Sequence, residues 1–98
     1  MTIKEIILRI KEGNLSREQL EEYYDSLTVL YAEMNYRMGE VTKEEALFLA
    51  DCKEKTKTGA DRLWLITPLG QEQITLKYNI RALEKLVASV KHRIYKLI

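Results

Sequence analysis

The chain has 98 residues, 46% hydrophobic and 32% charged, with a net charge of +1, the balance of one globular domain spanning residues 1–98 rather than a disordered or fibrous chain. No apolar run approaches the ~18 residues that cross a bilayer. The N-terminus interleaves Lys4, Glu5, Arg9, Lys11 and Glu12 with its apolar residues, unlike a signal peptide. The single cysteine, Cys52, excludes an internal disulfide and points to a reducing compartment, most simply the cytoplasm.

The first predicted helix covers Ile3 to Glu12. Thr2 and Glu5 have capping-box spacing, Ile3, Ile6, Ile7 and Ile10 form its apolar stripe, and Gly13-Asn14 supplies a left-handed stop. The second begins after Ser16, with Gln19 three residues on and Leu15 and Leu20 at the ends of a hydrophobic staple. Glu18, Glu21 and Glu22 load its first turns with negative charge, which the helix dipole favours. Its apolar positions Leu20, Tyr24, Leu27, Tyr31, Met34 and Met38 follow 4-3-4-3-4 spacing, with Tyr23 and Leu30 widening the stripe. Gly39 is the expected terminator.

Thr42 and Glu45 repeat the capping-box spacing, so a third helix is expected to start at Lys43. Ala46 to Ala50 is apolar nearly all round and reads as buried. Asp51 to Arg62 is mostly polar, and the helix either ends near Thr58 or continues through Gly59 into Leu63-Trp64-Leu65-Ile66. The helical spacing of Ala60, Leu63, Trp64 and Thr67 favours continuation, since an internal Gly costs only about 1 kcal/mol relative to Ala. Thr67-Pro68 then opens the last helix, expected to reach Ile98, with Thr as cap and Pro at the first helical position.

That last helix carries the strongest periodicity. Heptad a positions fall on Gln73, Ile80, Val87 and Ile94, and d positions on Leu69, Leu76, Leu83, Val90 and Leu97. β-Branched residues at a with mainly Leu at d suit a two-stranded parallel seam, Gln73 can set register, and Glu72 and Lys77 can attract across it. Leu86 widens the stripe, as an intramolecular bundle requires. A second helix ending at Gly39 offers only about 19 residues of seam, too few to cover the last helix at ~1.5 Å per residue. The remainder falls to the other helices or to a second copy. The expectation is an all-α bundle of about four helices with a long coiled-coil-like C-terminal helix that self-associates through Leu76, Ile80, Leu83, Val87, Val90, Ile94 and Leu97.

Catalytic signals are weak. His92 stands alone on a basic helix and reads as a solvated residue, while Cys52 beside Phe48 and Leu49 reads as a half-buried apolar group. Zinc spacings are absent, and Glu40, Glu44 and Glu45 look like helix-start charges rather than ligands. Thr58-Gly59-Ala60-Asp61 lacks the glycines and following Lys of a phosphate loop. No enzyme, metal or cofactor is expected.

Charge is more informative. Residues 1–54 hold 7 Lys/Arg and 12 Asp/Glu, net −5, whereas residues 55–98 hold 9 and 3, net +6. Away from the seam, the last helix presents Tyr78, Arg81, Lys85, His92, Tyr95 and Lys96, flanked by Lys77, Lys91 and Arg93. Cations can neutralise phosphates and tyrosines can stack on bases. With Lys53, Lys55, Lys57 and Arg62, these residues are candidates for a sequence-independent track for single-stranded DNA or RNA. The alternative is a solubilising outer face whose charge attracts the acidic first half.

From Leu20 onward the pattern resembles the recombination-mediator family, small helical proteins of phage recombination systems. The likeness lies in the helix bearing Tyr24, Leu27, Leu30 and Tyr31, a charged middle, and a closing helix with Leu83-Glu84-Lys85-Leu86 and Lys91-His92-Arg93. It implies an oligomer that binds single-stranded DNA to help load a recombinase, with Arg81, Lys85, Lys91, Arg93 and Lys96 on phosphates. Small helical subunits of RNA-guided defence complexes, and phage inhibitors of them, share the same general look. A competing expectation is therefore a protein-interaction module (adaptor, assembly chaperone or inhibitor) that touches no nucleic acid.

Overall fold

The computed structural model describes residues 2–97. It is all-helical: α1 (Ile3–Glu12), α2 (Arg17–Asp51), α3 (Lys57–Leu65) and α4 (Pro68–Lys96), with no strand among the described residues. The expected end of the last helix at Ile98 lies outside the described residues. Packing groups the chain into two compact units, one of residues 1–33 with 81–98 and one of residues 34–80. α2 and α4 each contribute one end to each unit.

In the first unit, α1 starts where the spacing predicts. The Glu5 amide donates to Thr2 Oγ1 (3.2 Å) and the Thr2 amide to Glu5 Oε2 (3.4 Å), completing the capping box. Gly13 and Asn14, with φ of 75° and 56°, occupy the left-handed region and turn the chain. Ser16 and Gln19 then cap α2 reciprocally, at 3.2 and 3.0 Å. Ile6 and Ile10 of α1, Leu20, Tyr23 and Leu27 of α2, and Leu83 and Val90 of α4 form the core. α2 and α4 run antiparallel here, with Leu20 near Leu97, Tyr24 near Ile94, and the Tyr31 hydroxyl donating to Glu84 Oε1 at 2.8 Å.

In the second unit the helix boundaries depart from expectation at Gly39 and again between Asp51 and Lys57. α2 does not stop at Gly39, and no third helix starts at Lys43; the helix continues to Asp51. The glycine penalty of about 1 kcal/mol is offset by what flanks it. Arg37 grips Glu72 of α4 with Nε and Nη2, at 2.5 and 2.8 Å, and also lies 3.7 Å from Glu40 across Gly39. Val41, two residues on, is completely buried. As a result α2, at 35 residues, is longer than the 29-residue α4. The length mismatch expected from the sequence disappears.

The second departure is the break at residues 52–56, where one unbroken helix from Lys43 is expected; beyond it α3 runs through Gly59 to Leu65, as the spacing of Ala60, Leu63 and Trp64 predicts. Lys53, Glu54, Lys55 and Thr56 are all exposed, so no burial offsets the entropy of ordering them as helix. Thr56 Oγ1 accepts from the Gly59 amide (3.0 Å) and caps the separate α3, which Ala60 and Trp64 bury. Ala46 to Ala50 is not buried as its composition suggests: Leu47 is 62% exposed and Phe48 and Leu49 are half-buried.

α3 passes into α4 through a tight corner. The Thr67 hydroxyl donates to the Trp64 carbonyl (2.6 Å) and accepts from the Gly70 amide (3.0 Å), so Thr67 caps α4 with Pro68 at its first position, as predicted. Trp64 Nε1 donates to Gln73 Oε1 at 2.7 Å. Val41, Ala60, Trp64, Leu76 and Ile80 make the core of this unit. Four seam residues, Leu76, Ile80, Leu83 and Val90, are thus buried inside the chain itself, Val87 and Ile94 are half-buried, and Leu97 is exposed.

Candidate nucleic-acid interface

Leu83 and Val90 anchor the C-terminal part of α4 in the first unit and so decide which of its residues face water. At about 3.6 residues per turn, Arg81, Lys85, His92 and Lys96 fall within a ~60° sector opposite that anchor. Lys91 and Tyr95 lie on one flank and Arg93 on the other. All seven are exposed, Tyr95 by 63%. From Arg81 to Lys96 the row is ~22 Å long at ~1.5 Å per residue.

The electrostatics of this face follow from what is not paired. Residues 81–96 carry five Lys/Arg and one Glu, net +4. The one carboxylate, Glu84, accepts the Tyr31 hydroxyl. Among the described residues the ion pairs are Arg17 with Glu21, and Arg37 with Glu40 and Glu72. None of Arg81, Lys85, Lys91, Arg93 or Lys96 takes part in an ion pair among the described residues, and all five are exposed.

The other candidates are placed differently. Lys77 and Tyr78 are exposed but belong to the second unit, as do Lys53, Lys55, Lys57 and Arg62. Glu72, read as a cross-dimer partner of Lys77, instead holds Arg37. That contact keeps the Glu72 carboxyl below the ordinary carboxylate range and raises Arg37, with partial burial opposing both. Gln73, a candidate register-setting residue, is occupied by the Trp64 indole.

Sequence reasoning missed a groove of about 730 Å³ on the second unit, walled by Leu47 and Phe48 on one side and Trp64, Pro68 and Leu69 on the other. The apolar cluster around Trp64 hinted at it, but the facing wall lies some twenty residues earlier. Cys52 at its edge is free and half-buried.

Among the described residues no group of three or more His, Cys, Asp or Glu is placed to hold a metal, and no helix is long and apolar enough to cross a membrane. No protein-family model matches the chain, nor does any curated protein or solved structure.

Proposed function

We propose that this protein is a non-enzymatic accessory protein that binds single-stranded nucleic acid along the outer face of α4 in the first unit. The observation that carries the reading is the row Arg81, Lys85 and Lys96, flanked by Lys91 and Arg93, with none of these cations in an ion pair among the described residues. Cations already paired would have to be released before meeting phosphate; these need not be. Tyr95 offers an exposed ring on which a base can stack. The face carries no donor set at fixed geometry for reading base edges, which suits sequence-independent binding.

The reading includes a role in phage recombination, as the resemblance of the chain implies, and action in the cytoplasm. It also includes self-association: Leu97 and the half-buried Val87 and Ile94 leave part of the α4 seam for a second copy.

The test is light scattering and fluorescence anisotropy with a labelled single strand of unstructured sequence, across a salt series. About four phosphate contacts predict a log–log salt slope near −3, hence ~50-fold weaker binding at 200 mM than at 50 mM salt. Arg81→Glu with Lys85→Glu should reduce the slope by about 1.4. Binding that ignores both salt and these substitutions, or no binding at low salt, overturns the proposal.

A further inference from the structure

The groove on the second unit combines two features that a partner can recognise. One is apolar exposure: Leu47 is 62% exposed, and half-buried Phe48 packs at a tilt on Trp64 with ring centroids 5.5 Å apart. The other is charge placed at the groove's two ends. Glu44, Leu47, Phe48 and Asp51 follow i, i+3, i+4, i+7 spacing and make one stripe of α2. The two carboxylates therefore stand two turns, ~10 Å, apart with the apolar pair between them. Both are exposed, and neither forms an ion pair among the described residues.

We propose that this groove is a docking site for a basic amphipathic helix of another protein, which seats apolar side chains between Phe48, Trp64 and Leu69 and sets a Lys or Arg against each of Glu44 and Asp51. Helix-in-groove recognition uses this arrangement of apolar anchors at helical spacing, and charge at the rim sets partner choice. A nucleic acid is disfavoured, since its phosphates would meet carboxylates. An isologous contact with a second copy would bring Glu44 and Asp51 against the same two carboxylates. The chain's own basic end does not fit either: Tyr95 and Leu97 point ~160° apart around α4, so no one face sets an apolar anchor between cations. This inference is independent of strand binding, which uses a different unit.

The groove contains its own reporter, because Trp64 is the only tryptophan. The full chain is titrated with three synthetic helices: one with a leucine stripe bounded by lysines, one with glutamates for the lysines, and one with serines for the leucines. The lysine–leucine helix should shift Trp64 emission saturably, and the other two should not. Glu44→Lys with Asp51→Lys should weaken its binding about tenfold, the value of two exposed ion pairs. The same variant should now accept the glutamate helix. If it does not fold, Leu47→Ser replaces it and should weaken binding comparably. No saturable shift, or equal binding of lysine and glutamate helices, overturns the proposal. So does a Trp64 shift that tracks protein concentration alone as scattering mass rises, which would assign the groove to a second copy. Unchanged strand binding in the groove variants would show that the two surfaces act separately.

Discussion

Two glycines of the second unit, both inside helices, should respond to alanine with opposite sign. A Cβ built on Gly70 would collide with the Trp64 carbonyl oxygen and lie 2.8 Å from the carbonyl carbon. That carbonyl cannot swing aside cheaply, because it accepts from both the amide and the hydroxyl of Thr67, at 3.0 and 2.6 Å. Overpacking costs ~1–3 kcal/mol, and a backbone obstacle held by two hydrogen bonds belongs at the upper end. Alanine's helix preference returns ~1 kcal/mol, leaving Gly70→Ala about 2 kcal/mol less stable. Gly39 has nothing within 4 Å of such a Cβ, so Gly39→Ala keeps the whole ~1 kcal/mol as a gain. At ~4–8 °C per kcal/mol, Tm should fall by ~8–16 °C in the first variant and rise by ~4–8 °C in the second. Thermal unfolding followed by circular dichroism and Trp64 fluorescence measures both. A Gly70→Ala protein as stable as the parent, or Tm shifts of the same sign, would refute the account of the α3–α4 corner.

Three further substitutions probe the same unit. Gln73→Leu improves a heptad a position on paper, yet it strands the Trp64 indole N–H, so stability should drop by ~1–2 kcal/mol in a denaturant titration rather than rise. Glu72 has a folded-state pKa below its unfolded one, so its pairing with Arg37 stabilises above the ordinary carboxylate range and is lost as pH falls through the folded value. Glu72→Gln should therefore be less stable at neutral pH and decline less steeply below about pH 4, read from Tm against pH. Thr56→Ala removes the cap on α3 and should cost ~1 kcal/mol, with exchange of the Gly59 amide accelerated in hydrogen-exchange measurements.

Helix starts were legible because a cap is a local device. Thr2 with Glu5, Ser16 with Gln19, and Thr67 before Pro68 each satisfy orphan amides within one turn, and all three start helices where their spacing predicts. Thr42 with Glu45 has the same spacing and starts nothing, because a cap matters only where the helix has a reason to begin. Where α2 ends was illegible for a related reason. Gly39 and Gly59 both lie inside helices at the same ~1 kcal/mol cost, and what offsets it can be distant in sequence, as Glu72 is for the neighbour of Gly39.

The two proposed surfaces divide along the same line. The row Arg81, Lys85, His92 and Lys96 is a periodicity, readable from one helix alone. That its cations form no ion pair among the described residues is a tertiary fact, since acidic Glu18, Glu21 and Glu22 lie in the same unit and could have taken them. The groove was invisible because its walls come from residues 44–52 and 64–69, on either side of a break that composition did not locate.

By itself, then, the sequence determined the all-helical class, the caps at Thr2, Ser16 and Thr67, and most of the buried stripe of α4, because each depends on spacing within a few turns of one helix. Only the tertiary structure decided that α2 runs through Gly39, that α3 stands apart, and that Glu72 and Gln73 serve Arg37 and Trp64 within the chain. Those outcomes turn on differences of about 1 kcal/mol in local preference, which contacts from elsewhere in the chain readily outweigh.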